Sequence, residues 1–323
     1  MGLHFNITGS KQHNVVVRKI ALHKGYKLNE YGLYDKRNYQ IAGKLEEDIY
    51  SNIGLSWIPP ELREDKGEIE AAREGRLPKL ISYNALRGDI HIHTNWTDGN
   101  NSIIEMGQAA KTMGLEYIAI TDHSQSLGVV HGLNKEKLEK QKKEIERINQ
   151  KMNGGQGIIT ILRGVEANIL KDGNIDLENN VLTEFDIVGA AIHSYFSLPK
   201  EEQTKRLISA MSNPNVDILF HPTSRIIKQR QSIEIDMEKI LQVSKETNTI
   251  LEVDASPSRL DLQDEYIKLA IENECKLSID SDAHDKSHMY FLKFGISQAR
   301  RGWAKERDVI NTLPLEKFLK SLK

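Results

Sequence analysis

A single cysteine in 323 residues, Cys275, excludes a disulfide framework; flanked by Glu274 and Lys276 where a helix gives way to a strand, it suits a small buried thiol. Long apolar runs are missing too. None approaches ~18 residues, and the amino terminus has no basic segment leading into an apolar core, so no leader or membrane span is read and the cytoplasm is the expected location. Neither sign of charge dominates: 44 Lys and Arg against 46 Asp and Glu leave a formal net charge of -2. With no global positive field, any nucleic-acid contact has to use local patches. A P-loop, a serine on a nucleophile elbow and a dinucleotide fingerprint are all absent, as are internal repeats and low-complexity tracts.

What is there is a recurring association of strand ends with metal-ligating side chains. In Gly88-Asp89-Ile90-His91-Ile92-His93-Thr94-Asn95-Trp96-Thr97-Asp98-Gly99, strand alternation places His91 and His93 on one face, and the loop that follows carries Asp98. Each later strand-like run also ends in good ligands. Asp122 and His123 follow Tyr117 to Thr121, Glu166 follows Ile158 to Val165, His193 follows Ile187 to Ile192 and His221 follows Ile218 to Phe220. Asp282 and His284 come after Leu277 to Ile279. Imidazole and carboxylate without thiolate suit Zn²⁺, Mn²⁺ or Fe²⁺, and this many ligands exceeds the needs of one ion.

The segment from Asp89 to Ile279 alternates strand and helix seven times. It includes a capping-box start at Ser102 and Glu105 and a long charged helix over Asn134 to Asn149. That order predicts an α/β fold with a parallel barrel and an active site where the strands end, which is where the candidate ligands lie. Residues 1–58 read as a smaller mixed unit. Leu3 to Ile7 alternates weakly, a helix runs from His13 to Lys24 and stops at Gly25, and a short helix over Leu45 to Ile53 closes at Gly54. Residues 59–86, opening on Pro59-Pro60, are expected to form an extended, solvated linker, leaving 87–323 as the larger domain.

Two families are resembled. His4-Phe5-Asn6-Ile7-Thr8-Gly9-Ser10, His13-Asn14, Lys24-Gly25-Tyr26-Lys27-Leu28-Asn29-Glu30-Tyr31-Gly32-Leu33 and Glu46-Glu47-Asp48-Ile49-Tyr50 are similar to the thumb of family X DNA polymerases, which implies contact with nascent DNA. The remainder resembles the PHP (polymerase and histidinol phosphatase) domain that follows this thumb in bacterial and archaeal family X polymerases. It matches at His91-x-His93, Thr121-Asp122-His123, Gly164-Val165-Glu166, Ala191-Ile192-His193-Ser194, Phe220-His221-Pro222 and Ser281-Asp282-Ala283-His284. This resemblance implies a distorted (β/α)7 barrel holding up to three divalent ions, Zn²⁺ or Mn²⁺, with Fe²⁺ as a third choice. One ion would sit on His91, His93, Glu166 and Asp282, a second on Asp98, His123 and His284, and a third on His193 and His221 with Glu166 bridging.

Other residues beside these ligands have two readings each. Asp122 either orients a ligand or moves a proton, or else it ties off the strand end by hydrogen bonds. His131, in Val130-His131-Gly132-Leu133, is a candidate for catalysis and substrate contact because similar PHP domains carry a histidine there. Arg225 opens the basic run Arg225 to Arg230 and, with Arg259, is a candidate phosphate contact; Arg225 is also a catalytic candidate, and a solvated loop is the alternative for both. Trp96 either stacks on a base or packs, and Arg300, Arg301, Trp303 and Lys305 read as a solvated helix end.

The expected activity is metal-dependent phosphoester hydrolysis at DNA 3′ ends, as a 3′ to 5′ exonuclease with 3′-phosphatase or abasic-site activity beside it. The alternatives are a histidinol-phosphatase-like enzyme for small phosphomonoesters and a non-catalytic polymerase-associated module. A family X palm with its three carboxylates is not recognised in the sequence. Polymerisation by this polypeptide alone is therefore not expected; the expected partner is DNA, and the chain is either a piece of a longer polymerase or a stand-alone protein that works alone or beside a separate palm-bearing subunit.

Overall fold

In the computed structural model, which describes residues 8–127, 131–152 and 159–323, the chain divides into two compact units, Met1–Leu80 and Ile81–Lys323. The stretch Leu3 to Ile7, His4, Val130 and Ile158 lie outside the described residues.

In the first unit, α1 (Lys11–His23) starts where the Ser10 hydroxyl accepts the His13 amide at 3.1 Å. Gly25, at φ +81, turns the chain into the antiparallel sheet β1 (Lys27–Asn29), β2 (Gly32–Tyr34) and β3 (Gln40–Ala42), after which come α2 (Glu46–Asn52) and α3 (Glu68–Arg73). Part of the expected linker belongs to this core instead. Ile58, Leu62, Arg63, Glu68 and Ile69 are all buried. The Arg63 guanidinium donates to Glu46 Oε2 at 2.6 Å and to the carbonyl of Ile58 at 2.9 Å. Glu68 accepts from His13 Nδ1 at 2.6 Å and from the amides of Asp65 and Lys66 at 2.8 and 2.7 Å. Charged side chains that suggest solvation in the sequence are here satisfied partners inside the fold.

The second unit is built on seven parallel strands: β4 (Gly88–Ile92), β5 (Tyr117–Ile120), β6 (Thr160–Asn168), β7 (Ile187–Ala191), β8 (Ile218–Leu219), β9 (Ile250–Asp254) and β10 (Leu277–Asp280). They pair in chain order from β4 to β10, and nearly all their residues are buried, as a sheet covered on both faces requires. Between them run α4 (Ile103–Thr112), α5 (Lys135–Met152), α6 (Asn179–Leu182), α7 (Lys200–Met211), α8 (Met237–Thr247) and α9 (Asp264–Glu272), with α10 (Leu292–Arg301) and α11 (Leu315–Leu319) after β10. The predicted capping box opens α4: the Ser102 amide donates to Glu105 Oε2 at 2.9 Å and the Ser102 hydroxyl to the same atom at 2.7 Å. On α5 the buried positions Leu138, Gln141, Ile145 and Ile148 form one stripe at helical spacing. The only cysteine, Cys275, is buried and donates to the Leu241 carbonyl at 3.3 Å.

The first and last strands are joined mainly through side chains, which nearly closes the barrel. Asp280 Oδ1 accepts the Ile90 amide at 3.0 Å, and Asp89 Oδ1 accepts the Ser281 amide at 3.1 Å. Asn311 fills the rest of the seam. Its Oδ1 accepts the Ile279 amide at 3.1 Å, while its Nδ2 donates to the carbonyls of Gly88 and Ile279 at 3.0 and 2.7 Å. The interior end nearest the strand starts is filled by apolar side chains, with Phe318 of α11 stacked on Tyr117 at 4.9 Å between ring centroids. The strand ends at the opposite mouth carry the polar groups.

Replacing Asn311 by Ala strands two backbone carbonyls and an amide in a dry seam. It is expected to destabilise the second unit by at least about 2 kcal/mol. Urea unfolding followed by hydrogen exchange of the 88–92 and 277–281 peptides measures this, and a loss below about 0.5 kcal/mol contradicts the seam's structural role.

Candidate metal centre

All nine residues read from the sequence as ligands come together at the strand ends. Their donor atoms form overlapping groups, each with atoms within 4.8 Å of one another: His93, Asp98, His123 and His284; His91, Glu166 and His221; His91, His93 and Asp282; His123, Glu166 and His193. Alternation along β4 and the residue after it sets the ring centroids of His91 and His93 5.1 Å apart. Glu166 reaches in from β6. Two of the nine, His221 and Asp282, have φ of +28 and +48, values that cost energy in non-glycine residues and concentrate at functional sites.

The separations suit shared ions. Two donors on one tetrahedral ion, each about 2.0–2.1 Å from it, stand ~3.3 Å apart. His93 Nε2 is 3.3 Å from Asp282 Oδ1 and 3.5 Å from Glu166 Oε2; His123 Nε2 and His284 Nε2 are each 3.4 Å from Asp98 Oδ2; His193 Nε2 is 3.2 Å from Glu166 Oε1. Several of these atoms have no other use. His91 Nε2, both ring nitrogens of His93, His123 Nδ1 and His221 Nδ1 are buried without a hydrogen-bond partner. Leaving that many imidazole nitrogens dry and unpaired is costly unless a cation satisfies them, so the residues present fit metal ions.

Electrostatics points the same way. Burial alone raises the Glu166 carboxyl, but His193, His123 and His91 overcome it and hold the group well below the usual carboxylate range. Burial likewise raises Asp282, and His91, His93 and other neighbours bring it well below that range. Burial, with His284 and His123 beside it, pushes His93 down to about 3, so its ring is neutral and one nitrogen lone pair is available at neutral pH.

Further groups fix the ligands in place, and of these the sequence singled out neither Glu252 nor Asn168. His91 Nδ1 is 2.6 Å from Glu252 Oε1, His193 Nδ1 is 2.6 Å from Asn168 Oδ1, and His284 Nδ1 is 2.9 Å from the Asp282 carbonyl. In each case Nδ1 is anchored and Nε2 faces the cluster. Asn168 is itself oriented, its Nδ2 donating to Ser124 Oγ at 3.1 Å and to Asp176 Oδ2 at 3.2 Å. Phe220 stacks on His91 with centroids 3.7 Å apart, and its ring fits only because residue 189 is glycine: a Cβ there would stand 1.9 Å from it.

The other sequence candidates fall elsewhere. Asp122 is fully committed: Oδ1 accepts from the Thr94 amide at 2.7 Å and Thr97 Oγ1 at 2.6 Å, and Oδ2 from Thr94 Oγ1 at 2.6 Å and Gln141 Nε2 at 2.7 Å. With no lone pair left for a proton, it ties off the strand end and anchors the loop that presents Asp98 rather than taking part in catalysis. Arg225 turns into the fold rather than toward the cluster, donating Nε to the Arg259 carbonyl at 2.7 Å and Nη2 to the Leu260 carbonyl, which removes it from catalysis. Arg259 does enter the site, its Nε 3.4 Å from Asp282 Oδ2 and 3.3 Å from Asp254 Oδ2. His131 is exposed at φ +57 and belongs to none of the four ligand groups. Trp96 donates to Glu144 Oε2 at 3.1 Å and packs on the α4 core, and Lys268 lies 4.4 Å over the Trp303 ring, so both tryptophans serve packing.

Asn168→Ala frees the His193 ring without touching a ligand. It is expected to weaken the most loosely held metal equivalent by about 10–100-fold. Chelator competition with metal analysis reads this independently of activity, and unchanged affinity contradicts the positioning role.

Comparison with known proteins gives this geometry a family. Residues 3–64 match the DNA polymerase beta thumb model and residues 89–272 match the PHP domain model. The chain is 41% identical over 321 residues to the DNA polymerase/3′-5′ exonuclease PolX of Bacillus subtilis (strain 168), covering 98% of this chain and 55% of that protein, so it spans about half of that relative's length. It is also 30% identical over 236 residues to a probable phosphatase of Thermoanaerobacter sp. (strain X514), covering 69% of this chain and 89% of that one. A histidinol phosphate phosphatase structure from Lactococcus lactis aligns at 17% identity and TM-score 0.49, covering 66% and 93% of the two chains. The chain belongs to the PHP domain family, as a hydrolase of the metal-dependent phosphoesterase kind with a polymerase-beta-type thumb earlier in its sequence.

Proposed function

We propose that this chain trims DNA 3′ ends as a metal-dependent 3′ to 5′ exonuclease, with 3′-phosphatase or abasic-site cleavage as companion activities, in the cytoplasm. The observation that carries the phosphoesterase part is the convergence of nine donors on the mouth of the barrel, with Glu166 among five imidazoles. The match of residues 3–64 to a polymerase thumb and the exonuclease in the name of the Bacillus subtilis relative support DNA as the substrate. No described helix is long and apolar enough to cross a membrane.

His91, His93, Glu166 and Asp282 would hold one divalent ion, Asp98, His123 and His284 a second, and His193 and His221 a third with Glu166 bridging; Zn²⁺ and Mn²⁺ suit these donors, with Fe²⁺ as a further choice. When bound, such ions make hydroxide available near neutral pH and hold the charged oxygens of a phosphoester. The chain's own groups organise that chemistry. Glu166 supplies the shared negative charge that lets closely spaced cations coexist. Glu252 and Asn168 fix the rings of His91 and His193 in the orientation that presents Nε2. Arg259 holds Asp282 from the side away from the histidines and keeps positive charge close to where a phosphate would arrive. His131, which is exposed, remains a candidate substrate contact. DNA is the proposed partner, together with a palm-bearing polymerase subunit if one acts beside this chain.

The test is hydrolysis of a labelled single-stranded oligonucleotide by metal-depleted protein, with Mn²⁺, Zn²⁺ or Mg²⁺ restored. Stepwise shortening from the 3′ end that requires metal is expected, and His93→Ala and Asp282→Ala are each expected to reduce it at least about 100-fold, because they remove ligands rather than the groups behind them. Full activity in both variants, or turnover of histidinol phosphate far above that of any 3′ end, would sink the proposal.

A further inference from the structure

The basic run Arg225 to Arg230, which the metal centre does not use, encloses a cavity of about 360 Å³. Three cations line it, Arg225, Lys228 and Arg230, together with three carboxamides, Gln229, Gln231 and Gln263. No carboxylate lines it. Asp261, whose charge is felt by Arg225 and Arg230, is fully buried with both oxygens taken by Thr223, at 3.0 Å from the amide and 2.8 Å from the hydroxyl. Among the described residues none of the three cations makes an ion pair.

The loop is built rather than draped. Ile226 and Arg230 exchange backbone hydrogen bonds at 2.9 and 2.8 Å, with Lys228 between them at φ +65, and the Ile227 amide donates to the Ser258 carbonyl at 2.7 Å. Arg230 is held by its Nε on the Ser224 carbonyl at 2.8 Å and lies 3.8 Å over the Phe196 ring. Arg225 and Arg230 are thus already positioned, so an anion binding there would have only the Lys228 side chain to order. Position ties the cavity to the ion cluster. Arg225 follows the ligand His221 by four residues, and its Nε is bonded to the Arg259 carbonyl, whose own guanidinium stands 3.4 Å from Asp282. One residue therefore separates the wall of the cavity from a metal ligand.

We infer that this cavity is a second phosphate subsite, which takes a neighbouring phosphodiester of the same nucleic-acid strand while the metal centre takes the one to be cut. The inference rests on the DNA-end reading above and adds to it the means of preferring a polynucleotide to a small phosphomonoester, which carries no second phosphate. Fixed guanidinium and ammonium groups bind the backbone without reading sequence, and the carboxamides can pair with sugar or base edges.

Lys228 is the residue to change, because it is exposed and its side chain supports nothing else. With the full chain and a twelve-nucleotide single strand, Lys228→Glu is expected to raise KM about tenfold with kcat within twofold of wild type, and to lower the salt dependence of binding by about one counterion. Lys228→Arg is expected to keep the wild-type KM. An unchanged KM in Lys228→Glu, or a loss confined to kcat, overturns the subsite. Equilibrium binding of the same strand separates the two readings: if wild type binds it about tenfold tighter than Lys228→Glu but cuts nothing, the subsite stands and the DNA-end activity falls.

Discussion

The rest of the site depends on one buried carboxylate. Glu166 Oε1 lies 2.9 Å from His221, 3.2 Å from His193 and 3.6 Å from His91, and Oε2 lies 2.9 Å from His123 and 3.5 Å from His93. Five imidazoles around one carboxylate in a dry cavity cannot all be satisfied by hydrogen bonds, since a neutral ring offers one donor and one acceptor. Divalent ions entering the cluster would relieve this, and cations that close together would in turn need the shared negative charge that Glu166 offers. Requirement and remedy are built from the same residues.

Holding those residues calls for a frame that resists relaxation. Parallel strands deliver the ligands at one end while Phe318, Tyr117 and their neighbours fill the other. The β4 to β10 junction, where the first and last ligand-bearing strands meet, is held by Asp89, Asp280 and Asn311. Gly189 admits Phe220, and Phe220 fixes the plane of His91. Glu252 joins two ligands at once, accepting His91 Nδ1 at 2.6 Å and the His221 amide at 2.5 Å. The chemistry at the mouth is therefore a property of the whole barrel, in keeping with ligands drawn from six of its strands or the loops that follow them.

Much of this was legible in the sequence because it is written in short-range patterns. Strand alternation put His91 and His93 on one face, each ligand follows an apolar run, and Ser102 with Glu105 marked the start of α4. The misreadings share a cause, namely that burial of a charged or polar group depends on partners distant in sequence. Arg63 and Glu68 looked solvated because Glu46 and His13, which satisfy them, lie 17 and 55 residues away. Between the two readings of Asp122 the sequence could not choose, because Gln141 and the Thr94 to Thr97 loop, which occupy it, belong to other elements. Asn168 and Glu252 carry no local signal at all; only the fold brings them behind His193 and His91.

Whether Glu166 lies between metal ions, as proposed, is tested most directly by anomalous diffraction from crystals of the native chain grown with Mn²⁺ or Zn²⁺. At least two anomalous peaks are expected within bonding distance of the cluster, about 2.0–2.2 Å from the ligand atoms, with the Glu166 carboxylate shared between them. A map with no peak at the strand ends, or a single ion that Glu166 does not touch, would contradict the account.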